Sequence, residues 1–363
     1  GGGVAPTITA PNANTLNVVL GSSRTVINWD SFHVSAADAV NFHFNLNSDI
    51  VLNKSPTAVT IDAGGHVTGT ITGGATGGNI WFYSPQGVVI SPGAVMTAGS
   101  FVFARGDLTA LADGDFVNAL NPLTFLRAAS DSLLQMDGIT AATSASISAT
   151  GDVVLTANSG DLAATTVLAA GSATVKAATG SVTVSEVTAN GGAATVTAPA
   201  GSVTVGALSG SANAVATAST GVTVTTATAT SGDIKLTAPA VSLGSGDAGG
   251  DILLASTTGG ATVTGHATAG DDVEITATTG AVNAGGATLT SNGAGADDGH
   301  VLASSTGGAV TVGTATTKGT GAAKGDVTLS AATTAALGAG SSTRDIKLMA
   351  PTATLTAGTA IRG

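Results

Sequence analysis

Cysteine is absent from the 363 residues, which removes disulfides, thiol nucleophiles and cysteine-based metal sites together. Charge is scarce as well. Eleven Lys+Arg stand against 22 Asp+Glu, only 9% of residues are charged, and the formal net charge is -11. A chain so poor in cations offers no basic surface for nucleic-acid phosphates or an anionic membrane. Glu186 and Glu274 are the only glutamates, so paired-carboxylate chemistry would fall to aspartate. Long apolar runs are missing too: no stretch of 18 or more apolar residues is present, which excludes a transmembrane helix. An outer-membrane barrel needs strands of about 10 residues and aromatic girdles, and with 3% aromatics the chain supplies neither. Ser-His-Asp order, phosphate loops and dinucleotide fingerprints are also lacking.

What is present in abundance is glycine, 52 residues, and it is ordered. A Gly-Asp-apolar block recurs at Gly151-Asp152-Val153, Gly232-Asp233-Ile234, Gly250-Asp251-Ile252 and Gly325-Asp326-Val327, with looser copies at Gly171, Gly192, Gly270 and Gly299. The spacing is about 20 residues, the range of solenoid repeats. A second series, Gly180-Ser181-Val182, Gly201-Ser202-Val203 and Gly308-Ala309-Val310, follows each first block by roughly 9 residues. Apolar residues alternate with Thr or Ser in every block, so Val182 and Val184 share one face of a strand and Thr183 takes the other. Gly and Asp at block edges supply corners. A third stretch, such as Glu186-Val187-Thr188-Ala189, predicts three strands per turn.

The fold expected is all-β: a right-handed parallel β-helix, a three-sided solenoid with an N-terminal cap and extra-helical elements. One compositional shift divides it. Every aromatic lies at or before Phe125, so residues 1–135 are expected as an N-terminal domain and residues 136–363 as a repeat shaft. Between Phe116 and Met136 glycines thin out and leucines gather, which predicts a helical turn or a loop covering one side.

An ordered set of segments in the first part points to a family. Val26-Ile27-Asn28-Trp29-Asp30-Ser31-Phe32 is followed by Val40-Asn41-Phe42, Val51-Leu52-Asn53-Lys54, Ile71-Thr72-Gly73, Asn79-Ile80-Trp81-Phe82-Tyr83-Ser84-Pro85-Gln86-Gly87-Val88 and Pro92-Gly93-Ala94. Over roughly residues 12 to 130 this resembles the secretion domain of two-partner-secretion exoproteins of the filamentous-haemagglutinin type. Two departures stand out: Ser84-Pro85-Gln86-Gly87-Val88 replaces the family's Asn-Pro-Asn-Gly-Ile, and Lys54 replaces its Arg. Pro85 and Gly87 preserve the turn, and Ser84 keeps a side-chain-to-backbone bond available.

The resemblance implies an adhesin-like exoprotein exported through the periplasm by an outer-membrane transporter with POTRA domains. It would reside outside the cell or on its surface, with host or neighbouring-cell ligands as further partners. The secretion motif would comprise Asn28, Trp29, Phe32, Asn53, Ser84, Pro85, Gln86, Gly87 and Val88, with β-augmentation at a strand edge as the contact mode. Gly1-Gly2-Gly3 lacks a signal-peptide pattern and Ala360-Ile361-Arg362-Gly363 stops mid-repeat, so a trimmed fragment of a longer chain is expected.

The remaining polar and aromatic residues offer other chemistry. Asp247 with Asp251, Asp271-Asp272 and Asp297-Asp298 could hold Ca²⁺, but the Gly-Gly-x-Gly-x-Asp calcium repeat is missing, and solvated corner caps are the simpler reading. His33, His43 and His66 have no ligand spacing. Trp29 and Trp81 could form a sugar platform or belong to cap and core. The alternatives to the adhesin are a polysaccharide-active β-helical enzyme, for which the cations are too dispersed, and a carrier stalk for a distal toxin or a host-protein-binding module. The expectation is no catalytic site, no metal and no cofactor.

Overall fold

The computed structural model describes residues 4–90, 94–130, 132–137, 141–142, 146–149, 152–157, 161–293, 299–318 and 325–360. The fold is a parallel β-solenoid, as the repeats require. It comprises two compact units, Gly1–Gly160 with Ala164–Gly171, and Asp161–Ala163 with Ser172–Gly363.

In the first unit the turns that begin at Arg24, Ile50 and Asn79 each have three short strands. The first face stacks Arg24–Asn28, Ile50–Lys54, Asn79–Ser84 and Ser100–Arg105 in parallel register, so that Ile27, Asn53 and Phe82 fall in one column. The second face stacks His33–Val34, Val59–Ile61 and Val88–Ile90. The third stacks Thr15–Val19, Ala39–Phe44, His66–Ile71 and Val95–Thr97, and is headed by an antiparallel hairpin strand, Thr7–Asn12. The interior takes the large side chains that composition assigned to this part. Phe82 stacks on Phe103 with ring centroids 5.7 Å apart, and Phe32 meets Phe82 edge-on at 5.0 Å.

After Ser100–Arg105 the chain leaves the solenoid. Asp107 caps a short 3-10 turn through its bond from Thr109 N–H (2.9 Å), and two helices follow, α1 (Asp113–Asn118) and α2 (Pro122–Ala128). Asp113 and Asp115 place negative charge on the first turn of α1. Asn121 accepts from Thr124 N–H at 3.1 Å and Pro122 opens α2, a standard start for a helix. Leu111, Phe116 and Leu126 from this excursion bury Leu52, Trp81, Tyr83, Val102 and Ala104, which point outward from the first face. The first-face strands are therefore buried on both sides. The helical cover expected between Phe116 and Met136 is found, but it begins earlier and is followed by a strand, Ser132–Asp137.

That strand runs antiparallel to Ser100–Arg105 and to Val153–Ala157 on either side. A single reversed strand thus interrupts a parallel face.

In the second unit the turns have a short strand and a long one, except that the long one is split into Ala261–Val263 and His266–Ala269 in one turn. Short strands such as Ala194–Ala198, Ala214–Ala218, Ile234–Ala238 and Ile252–Ser256 pair in parallel. Long ones such as Val182–Ala189, Val203–Gly210 and Gly221–Ala229 do likewise. The long strands bend midway. Val182, Val184, Val187 and Ala189 are buried while Ser185 and Glu186 are both exposed, so the alternation slips by one residue at a corner. The third stretch read from the sequence is thus the second half of one bent strand. Fully burying each valine removes enough apolar surface for about 1.5–3 kcal/mol, which small repetitive rungs need.

Candidate functional site

The nine motif residues lie at or beside one corner, where the first face of the first unit turns into the second. Asn28-Trp29, Asn53-Lys54 and Ser84-Pro85 occupy that corner on three successive turns, with Asn28 paired to Lys54 and Lys54 to Tyr83. Segments about 25 to 30 residues apart in sequence are thereby stacked one rung apart, roughly 4.8 Å. Trp29 Nε1 donates to Asn53 Oδ1 at 2.9 Å, and Asn53 Nδ2 donates to the Trp81 carbonyl at 3.1 Å. Asn53 is wholly buried, so both bonds satisfy groups that water does not reach. Trp29 packs edge-on against Phe32 at 5.4 Å, and Phe32 carries the contact inward to Phe82.

One turn further, Ser84 Oγ donates to Thr57 O at 2.8 Å and accepts from Gln86 N–H at 3.1 Å. Gly87 N–H closes the turn onto Ser84 O at 3.2 Å, and Gly87 holds φ +81, a conformation that favours glycine. The serine thus performs the side-chain-to-backbone cap expected of it. Arg105 Nε donates to Pro85 O at 3.2 Å and fixes the turn from the next rung. Gln86 is exposed, and Val88 begins the second-face strand Val88–Ile90. Of the family segments, Pro92-Gly93 lies outside the described residues.

Sequence reasoning missed the partner of this corner. Lys54, nearly buried, donates to Leu111 O at 2.6 Å and to Asp113 Oδ1 at 2.8 Å. Asn28 Nδ2 donates to Asp113 Oδ2 at 2.7 Å. Partial burial opposes ionisation of Asp113, but Lys54 and Asn28 outweigh it and hold the carboxyl below the usual aspartate range. Arg24 adds Nη1 bonds to Val117 O at 3.1 Å and Ala119 O at 2.5 Å, and Tyr83 OH donates to Ala129 O at 2.6 Å. The helical cover is thus tied to the motif corner by four side chains of the first face, Arg24, Asn28, Lys54 and Tyr83. The only sequence signals were a lysine ending an apolar strand and the acidic pair Asp113 and Asp115.

Most of the other candidate groups that are described have structural partners. Trp81 is 5% exposed beneath Phe116, which removes it from any surface sugar platform. His33 Nε2 lies 2.9 Å from Asp62 Oδ2, and His43 Nδ1 lies 3.0 Å from Thr70 Oγ1. His66 is exposed at the start of its strand. In the second unit the corner aspartates form a ladder. Asn213 Oδ1 accepts from Asp233 N–H (2.9 Å), Asp233 Oδ1 from Asp251 N–H (3.0 Å), Asp251 Oδ1 from Asp272 N–H (3.1 Å), and Asp272 Oδ1 from His300 N–H (2.6 Å). Each carboxylate serves the backbone of the next rung. Asp247 pairs with His266 at 3.1 Å, while Asp297-Asp298 lies outside the described residues. Among the described residues no group of three or more His, Cys, Asp or Glu could hold a metal ion. Glu186 and Glu274 lie on separate turns with no pairing between them.

Compared with known proteins, the chain matches no family model, and no curated protein is significantly similar to it.

Proposed function

We propose that the first unit is the export-recognition domain of a secreted or surface-displayed exoprotein, and that the solenoid it begins is structural or adhesive rather than catalytic. The observation carrying this reading is the corner stack. Asn28, Trp29, Phe32, Asn53 and the Ser84–Val88 turn, which the resemblance groups as a secretion motif, are brought together on three consecutive rungs. Trp29 bonds Asn53, Asn53 and Ser84 bond the backbone and Asn28 bonds Asp113, with Gln86 left exposed at the tip of the turn.

The partner in this reading is an outer-membrane transporter with POTRA domains that meets the chain in the periplasm. A solenoid suits such export, because each completed rung presents an unpaired edge that templates the next and folding propagates along the chain. The aromatic first unit, with its individually fitted core, is then the nucleus, and the Val- and Ala-lined rungs add to it. Ligands on a host or neighbouring cell would be met by the outward faces of the shaft, which present mainly Thr, Ser and Ala.

The test is secretion in a Gram-negative host that co-expresses the candidate transporter. Deleting residues 12 to 130 should leave the remainder in the periplasm, and Pro85→Ala with Gly87→Val should reduce the exported fraction of a chain that still folds. Normal export of the deleted chain removes the assignment.

A further inference from the structure

Among the described residues the second face of the first unit ends at Val88–Ile90, and the side chains beside that end are apolar. The strand Val88–Ile90 pairs with Val59–Ile61 on one side. Where the next turn would add a strand to its other side, the chain is diverted at Gly106–Asp107 into the helical cover, and no described strand pairs there. The inward columns show the consequence. Along the second face Phe32 is 4% exposed and Val59 0%, whereas Val88, the next member, is only partly buried. Along the first face Phe82 is fully buried and Phe103 6% exposed, whereas Leu134 and Leu155, which continue that column, are only partly buried. Val88, Phe103, Leu134 and Leu155 line an open cavity of about 310 Å³, with Gln86, Gly87 and the exposed Arg105 also on its wall.

A strand edge that no described strand pairs, beside an apolar pocket, is the arrangement by which domains capture an extended peptide: main-chain bonds give affinity and the pocket gives specificity. The volume lies at the lower end of ligand pockets, about 300 Å³, suited to one large side chain rather than a free small molecule. Charge supplies the direction. Arg105 spends Nε on Pro85 O and sits against Gly87, at the beginning of the edge strand. A carboxylate there would meet a guanidinium at the pocket rim.

We propose that the Val88–Ile90 edge and its cavity form a docking site for an extended segment of a partner protein. The segment adds as a parallel strand, placing an aromatic or branched apolar side chain in the cavity and an acidic side chain, two residues earlier, on Arg105. It extends the second face where no described strand of this chain pairs. The inference does not depend on the export reading, since peptide capture and secretion are separate measurements.

The experiment is fluorescence anisotropy of the full chain with a labelled seven-residue peptide of threonine and valine that carries one aspartate and, two residues on, one phenylalanine. Saturable binding is expected. Arg105→Glu should weaken it by about tenfold or more, as loss and reversal of a charge pair does. Leu155→Phe, which fills the cavity, should weaken the phenylalanine peptide more than one with alanine in its place. Methylating alternate backbone nitrogens separates strand addition from mere stickiness: one methylation pattern should abolish binding and the other preserve it. Equal binding of both methylated peptides, no effect of Arg105→Glu, or no saturable binding overturns the proposal. So does sedimentation showing that the chain pairs with a second copy through this edge and excludes the peptide.

Discussion

The indole Nε1 of Trp29 donates to the side-chain oxygen of Asn53, 2.9 Å away on the next rung, and Asn53 passes its own amide to the Trp81 carbonyl on the rung after that. One buried carboxamide therefore staples three consecutive turns at the motif corner. An asparagine is suited to this because it offers donor and acceptor on one planar group.

Replacing it exposes that role. Asn53→Leu keeps the approximate volume but leaves the Trp29 N–H and the Trp81 carbonyl without their partner. Removing one partner of a buried bond costs about 1–3 kcal/mol. Urea unfolding followed by tryptophan fluorescence should show an earlier midpoint, with a shift that multiplied by the m-value gives that loss, since both tryptophans lie in the first unit. An unchanged midpoint would mean the staple contributes nothing to stability.

Much of the solenoid was legible in the sequence because its signals are local. Val203-Thr204-Val205 alternates at period two, and the structure buries Val203 and Val205 and exposes Thr204. The bend in the long strands was less legible: Ser185 and Glu186 carry no glycine or proline, so nothing in the sequence distinguishes a corner inside one strand from a break between two. The reversal of Ser132–Asp137 was not legible at all, because alternation specifies which face is buried and not the direction of travel. The motif corner was legible as an ordered set of residues, and its stacking was not. The Lys54–Asp113 pair spans 59 residues and depends on where the helical cover lands, a tertiary fact that no local pattern carries.

A pH-dependent element lies in the second unit at Asp326. Its carboxylate takes Arg344 Nε at 2.7 Å, Arg344 Nη2 at 3.0 Å and Lys347 Nζ at 2.5 Å, and its side chain is only 9% exposed. The Arg344 bond, opposed by burial and reinforced by Lys347, holds this carboxyl far below the aspartate range. The folded value lies below the unfolded one, near 4. Its stabilisation is therefore complete above about pH 4 and is lost as pH falls through the folded value. Asp326→Asn should cost about 1–3 kcal/mol at pH 7, and the gap to wild type should close on acidification below about pH 4. Hydrogen exchange at the amides of Val327 and Ile346, followed from pH 7 to pH 2, reads this locally. A gap that stays constant across that range would show that the ion pairs do not stabilise these rungs.

The register of the shaft is open to a test with two substitutions one residue apart. Val203 is 1% exposed and stacks between Val182 and Val222, whereas Thr204 is exposed between Thr183 and Thr223. An aspartate at 203 would lose its hydration among valines and leucines, with no cation within the rung to pair it. Val203→Asp should therefore cost several kcal/mol, of the order seen for unpaired buried charge, about 3 or more. Thr204→Asp keeps its carboxylate in water and should change stability by no more than about 0.5 kcal/mol. Native-state proteolysis resolves the two, because opening of one rung exposes backbone that the intact stack protects. The Val203→Asp chain should be nicked near residue 203, and the Thr204→Asp chain should resist as wild type does. Equal resistance in both would contradict the inward placement of Val203, and with it the parallel register that every rung of the second unit shares.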